Sequence, residues 1–247
     1  MIQRRLNILF IGNSHTYLHN MPRMLAELVK AANKGFVLGV RQCTGEGVSL
    51  EWHWKNPQTR ETIVSEEWDA VVLQDRSGGP LENLDSFNTH TRLLDKEIKN
   101  RGAETLLFMT WPLKSRPQTL KKLAKAYTAM ARDLGAKLAP VGLAWQRVAQ
   151  LNPDFELYHQ DGRHANPFGA YLAACVFFAV LFAESPEGLP GILLINGTKR
   201  VDLDPQKALF LQEVAFEMVS EFSPLSVSDP RNRDSVKGRL QRPTPKH

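Results

Sequence analysis

The chain holds only two cysteines, Cys43 and Cys175, among 247 residues. Two are too few for a disulfide framework and match no metal-ligand spacing, so both read as buried free thiols. Long apolar runs are missing too. The longest, Leu172–Phe182, falls short of the ~20 residues that cross a bilayer. At the amino end, Gln3-Arg4-Arg5 is followed by only Leu6–Ile11 before Gly12, too short for a secretory apolar core and without a cleavage site. These absences predict a cytoplasmic protein, or a secreted one already trimmed, with no membrane span. There is no internal repeat, no phosphate-loop glycine pattern, no Gly-x-Ser-x-Gly elbow, and nothing that calls for a cofactor.

Positive charge is present but localised. The formal charge is +5, and residues 224–247 carry six cations (Arg231, Arg233, Lys237, Arg239, Arg242 and Lys246) against Asp229 and Asp234. That segment, rich in Pro, Ser and Arg, reads as a disordered basic tail rather than a folded binding face, which argues against nucleic acid as a partner. Residues 1–223 have the length and the ordinary apolar and charged content of one α/β domain. The oligomeric state is not written in the sequence.

What the chain does contain is a regular alternation. Asn7–Ile11 is a continuous apolar run closed by Gly12, suited to a strand buried on both faces. Met21–Ala32 has helical apolar spacing, with Pro22 in its first turn. Strands are predicted over Phe36–Cys43, Asp69–Leu73, Glu104–Met109 and Lys137–Pro140, with helices over Leu84–Asn100 and Leu120–Leu134, the latter capped by Gly135. A further helix is predicted over Phe168–Phe182. Such alternation implies a parallel sheet with helices on both faces. The turns Asn13–Thr16, Thr44–Gly47, Gln74–Gly79 and Thr110–Pro112 all follow strands, so they should gather at the sheet's carboxyl edge, where such folds place their sites.

Ser14 lies where the first strand turns into a helix. There it is either a capping residue or a nucleophile whose own N–H faces outward. His164 lies in a loop just before Asn166-Pro167, and Asp161 three residues earlier can accept its Nδ1 proton, leaving Nε2 for Ser14. Nucleophile, base and orienter are the parts that acyl transfer needs. These residues carry a resemblance. The chain resembles the SGNH (GDSL-like) hydrolases, with Gly12-Asn13-Ser14 at that family's Gly-Asp-Ser block and Asp161-Gly-Arg-His164 at its Asp-x-x-His block. The resemblance spans roughly residues 5–185. It implies a flavodoxin-like three-layer α/β/α fold with a five-stranded parallel sheet, and Ser14, His164 and Asp161 as the catalytic residues of an esterase.

The resemblance also implies an oxyanion hole made by the N–H of Ser14, a glycine after the second strand, and an asparagine amide after the third. Gly47 is the expected glycine, with Gly45 the alternative. The tetrapeptide that carries the asparagine is missing, and Gln74, with the same amide one methylene further out, is the expected substitute; Asn83 and Asn88 fall in or near the next helix. Trp52, Trp54 and Trp111 are candidate substrate contacts at the rim, with Arg76 and His53 behind them. Family members act on short esters, sugar O-acetyl groups, lipids and thioesters. The tryptophans and the lack of an apolar lid favour a small acyl, and above all an acetyl, ester. Two other readings use the same residues: metal ligation by His15 and His19, or by His159, Asp161 and His164, although neither group is a zinc motif, and a catalytically impaired binding or scaffold protein on this fold.

Overall fold

A computed structural model describes residues 4–222; the predicted basic tail lies outside that range. The chain opens with β1 (Arg4–Gly12), a single helical turn α1 (Ser14–Tyr17), a short 3-10 turn over Leu18–Asn20, and helix α2 (Met21–Ala31). Next come β2 (Phe36–Thr44), two short helices α3 (Leu50–Lys55) and α4 (Pro57–Ser65), and β3 (Ala70–Leu73). They are followed by α5 (Gly79–Glu82), α6 (Leu84–Asn100), β4 (Glu104–Phe108), a 3-10 turn over Pro117–Thr119, and α7 (Leu120–Leu134). The remainder is β5 (Lys137–Ala139), α8 (Val141–Leu151), α9 (Pro167–Phe182), the hairpin β6 (Ile192–Ile195) and β7 (Thr198–Asp202), and α10 (Pro205–Phe222).

The first five strands form one parallel sheet in the order β2-β1-β3-β4-β5. Alternate residues of each strand feed two separate cores, because side chains point to opposite faces in turn. Ile8, Phe10, Val72, Leu106 and Phe108 pack with α2, α8, α9 and α10. Leu9, Ile11, Val71, Leu73 and Leu107 pack with α4, α6 and α7. The predicted three-layer architecture is therefore the one observed. Helix α9 is apolar on every side because it is enclosed by α2, α8 and α10, and eleven of its residues are buried.

Two predicted helices match their observed bounds, and Gly135 takes the left-handed C-cap at φ +59°. The strand predictions shift by one to three residues at their ends. Helices α3, α4 and α10 and the β6–β7 hairpin, which turns at Asn196-Gly197, are additions that the sequence reading did not make. No helix among the described residues is long and apolar enough to cross a membrane.

Candidate active site

The turn that carries Ser14 is held by its neighbours rather than by its own serine. Asn13, not Ser14, caps α1: its Oδ1 accepts the His15 N–H at 3.1 Å, and its Nδ2 donates to the Val48 carbonyl at 3.0 Å. Ser14 is the first helical residue, so its side chain is left for other work. Gly12 is required by close approach, since a Cβ there would run into Gln74 Oε1 and Thr16 Oγ1.

Ser14 Oγ lies 2.8 Å from His164 Nε2, across 150 residues of sequence. Asp161 Oδ2 lies 2.6 Å from His164 Nδ1. The other Asp161 oxygen accepts the backbone N–H groups of Arg163 and His164, each at 2.9 Å, so the acid also shapes the loop that presents the base. Gly162, at φ +64°, allows this tight turn, and a bridge between Tyr158 and Ala165 closes its base. Burial pushes the Asp161 carboxyl up, but the hydrogen bonds from the His164 ring and from the two N–H groups outweigh it and hold the carboxyl well below the usual carboxylate range. An ionised Asp161 fixes the Nδ1–H tautomer, which leaves the Nε2 lone pair facing the serine hydroxyl. Ser14, His164 and Asp161 are thus brought together as the sequence reading expects.

The expectation for Gln74 is corrected by its partners. Its side chain is fully buried and its amide is consumed within the scaffold. Oε1 accepts the Asn13 N–H at 2.8 Å and the Thr16 hydroxyl at 2.9 Å. Nε2 donates to Asn13 Oδ1 at 2.9 Å and to the Asp75 carbonyl. With both protons committed, the amide has none left for a substrate oxygen. Gln74 instead clamps the Ser14 turn to the end of β3. Two further buried groups extend this clamp. His53 Nε2 lies 2.8 Å from the Gly12 carbonyl, and Asp75 Oδ1 accepts the Leu50 N–H at 3.0 Å. In the turn after β2, the Gly45 N–H goes to the Gly12 carbonyl at 3.3 Å, whereas Gly47 is exposed at φ +61° with its N–H uncommitted among the described residues.

The tryptophans separate into three environments. Trp111 is buried, stacked on Trp145 at 3.9 Å, and donates Nε1–H to the Arg163 carbonyl at 2.9 Å, so it supports the base loop instead of lining the rim. Trp54 packs against the core beneath the Arg60 guanidinium, 4.4 Å from the ring centroid. Only Trp52, 44% exposed, offers a free aromatic face. His53, expected near the rim, is buried in the clamp, and Arg76 is exposed and paired with Glu82 at 2.6 Å.

The histidines read as a metal pair are likewise separated. His19 bonds the Ala165 carbonyl at 3.0 Å from a left-handed backbone position. His15 is buried, its ring centroid 5.3 Å from that of His164 and 5.0 Å from that of Trp111. Burial first, then the charges of His164 and Arg163, lower its pKa to about 3, so a neutral ring backs the base. Its sequence signal was weak, because a polar residue in a turn reads as solvated.

No family model and no curated protein matches the chain. Solved structures do. A protein of Slackia heliotrinireducens described as an SGNH hydrolase shares 30% identity, covering 72% of this chain and 100% of its own, with a TM-score of 0.62. A DUF4886 family protein from Bacteroides uniformis shares 20% identity over 91% of this chain and 98% of its own, TM-score 0.73. An acetyl xylan esterase, 14% identical over 68% of this chain and 96% of its own, has a TM-score of 0.59. The last two show a shared fold. The first is similar over its entire length, in sequence as well as in structure, and on that ground the chain belongs to the SGNH hydrolases.

Proposed function

We propose that the protein is a serine esterase that hydrolyses a small acyl ester, with acetyl the favoured group. The observation that carries this is the unbroken line of contacts from Ser14 Oγ through the His164 ring to Asp161, at 2.8 and 2.6 Å. His164 Nε2 takes the Ser14 proton as Oγ attacks the ester carbonyl carbon. The oxyanion meets the backbone N–H groups of Ser14 and Gly47, which stand at the start of α1 and in the turn after β2. The tetrahedral adduct collapses, the bond to the alkoxide breaks, and His164 returns the proton to the leaving alcohol. Water, deprotonated by His164, then attacks the acyl-serine; as this second adduct collapses the bond to Ser14 Oγ breaks, His164 returns the proton to that oxygen, and the acid is released.

His15 serves this cycle by staying neutral: a charged neighbour at 5.3 Å would repel the imidazolium formed at His164. Trp52 is the aromatic left to contact the alcohol portion. An apolar cavity of about 230 Å³, lined by Trp145, Phe155 and Tyr158 among others, includes none of Ser14, His164 and Asp161 and so is not a pocket for the acyl chain. Fold kinship with an acetyl xylan esterase favours the acetyl group. The test is hydrolysis of p-nitrophenyl acetate, butyrate and octanoate by the wild type, Ser14→Ala and His164→Ala. Activity that declines with chain length and vanishes in both variants is the expected result. Activity that survives Ser14→Ala would remove Ser14 as the nucleophile, and no activity in the wild type would leave a binding protein on this fold as the better reading.

A further inference from the structure

Between Glu104 and Asp133 the chain has no acidic residue, while residues 105–132 contain Lys114, Arg116, Lys121, Lys122, Lys125 and Arg132. This stretch runs from the end of β4 into α7. In a parallel sheet the helix that follows a strand starts at the carboxyl edge, so Arg116 and the lysines opening α7 stand at the same edge as Ser14 and His164. The stretch is also tied to the base loop. The Lys114 N–H donates to the Gly162 carbonyl at 2.9 Å, and Trp111 holds the Arg163 carbonyl. Between the two segments opens a cleft of about 400 Å³, with Lys114 and Ser115 on one wall and Gln160, Asp161 and Arg163 on the other.

Of the acids facing this surface two are already engaged, and Asp154, which lines a neighbouring cavity with Lys114, Pro117 and Leu120, is a single carboxylate unpaired among the described residues. Glu156 pairs with Lys114, and the Asp161 carboxylate is committed to His164 and its loop. No carboxylate pairs with Arg116, Lys121, Lys122, Lys125 or Arg163 among the described residues, and all five are exposed. Elsewhere long-range pairing is common, as in Arg60–Glu97, Arg92–Asp133 and Arg147–Glu217. An unneutralised set of cations of one sign repels itself, and it concentrates anionic ligands at the mouth it borders.

We propose that the ester is carried on an acidic polysaccharide, whose carboxylates lie along Arg163, Arg116 and the lysines of α7 while an acylated sugar enters the site. This rests on the esterase reading above. Lys121 and Lys125, one helical turn apart with Cβ atoms about 5–6 Å from each other, present charge at roughly the spacing of neighbouring sugars. The surface lacks what other polyanions require. Phe108, Trp111 and Tyr127, the aromatics of this stretch, are all buried, so the stretch offers no ring for nucleobases to stack on. Leu120 and Leu123 are buried as well, so no apolar face is available to enter a membrane.

The test compares the full-length wild type with the charge-reversed Lys121→Glu/Lys122→Glu/Lys125→Glu variant, so that the carboxyl-terminal cations are common to both. On chemically acetylated polygalacturonate against acetylated dextran, the wild type should show a kcat/KM ratio of roughly tenfold or more at low salt. That ratio should fall toward one near 0.5 M NaCl, where exposed charges are screened within about 4–5 Å. The triple variant should lose the ratio while keeping p-nitrophenyl acetate turnover within about twofold. Affinity electrophoresis in gels containing unacetylated polygalacturonate or dextran reads the surface without any catalysis. Retardation by polygalacturonate alone, lost in the triple variant, supports the proposal even if every ester assay is negative, which would sink only the esterase reading. Equal retardation by dextran, or an unchanged triple variant, would overturn it. Stronger retardation by single-stranded DNA than by polygalacturonate would replace the polysaccharide with nucleic acid.

Discussion

Replacing Gln74 with alanine distinguishes a clamp from an oxyanion donor. The substitution removes the acceptor of the Asn13 N–H at 2.8 Å and of the Thr16 hydroxyl at 2.9 Å, both in fully buried surroundings. A buried donor left without an acceptor costs about 1–3 kcal/mol. Two such groups, plus about 1 kcal/mol for the lost apolar contact, give roughly 3–7 kcal/mol. At about 2–4 °C per kcal/mol for a chain of this size, Tm should drop by roughly 6–28 °C, while a stability of about 10 kcal/mol, the middle of the usual range, keeps the protein folded at 25 °C. Calorimetry or urea denaturation reads the change, with kcat measured on the same sample at 25 °C. A pure oxyanion donor behaves differently: its loss lowers kcat by about 10²–10³ and leaves Tm alone. A Gln74→Ala protein with wild-type Tm and a hundredfold lower kcat would refute the clamp and restore the amide to the oxyanion.

Other perturbations separate the supporting residues. His15, His19 and His53 all have lowered pKa values, each first because of burial, and His15 falls to about 3. The unfolded chain therefore binds protons below about pH 6.5 that the native state refuses, so stability should decline steadily as pH falls from 6.5 toward 3. Urea midpoints across that range should show a weaker decline for His15→Leu; an identical pH slope would contradict the buried neutral ring. Asp161→Asn should lower kcat by about 10³–10⁴ through loss of the Nδ1–H tautomer, with little change in KM. Trp111→Ala should cost about 3–5 kcal/mol of stability, whereas the exposed Trp52→Ala should leave Tm unchanged and raise KM for sugar esters. Reversal of those two outcomes would mean that the rim and the support have been exchanged.

The legibility of the sequence followed the kind of information each feature needs. Leu84–Asn100 and Leu120–Leu134 could be bounded because their apolar spacing is strong and each ends at a definite stop, Arg101-Gly102 and Gly135. Ser14, His164 and Asp161 could be chosen because their roles need particular residue types at particular turns. The β6–β7 hairpin went unread despite its Asn-Gly turn, since β6 alternates exposed and buried residues over only four positions and β7 buries only Val201. Gln74, His53 and Trp111 were misplaced for a shared reason. Their chemistry fits a rim, and only tertiary packing reveals that their polar atoms are bonded inward or their rings enclosed. The corrections therefore fall on buried polar and aromatic groups near the site, whose partners lie tens of residues away.

Ser14 as nucleophile is the central claim, and covalent labelling tests it most directly. Wild-type protein treated with a fluorophosphonate should gain one phosphonyl group, mapped by peptide mass spectrometry to Ser14, with labelling abolished in Ser14→Ala and slowed strongly in His164→Ala. Labelling of another serine, or none under conditions that label a control serine esterase, would contradict the account.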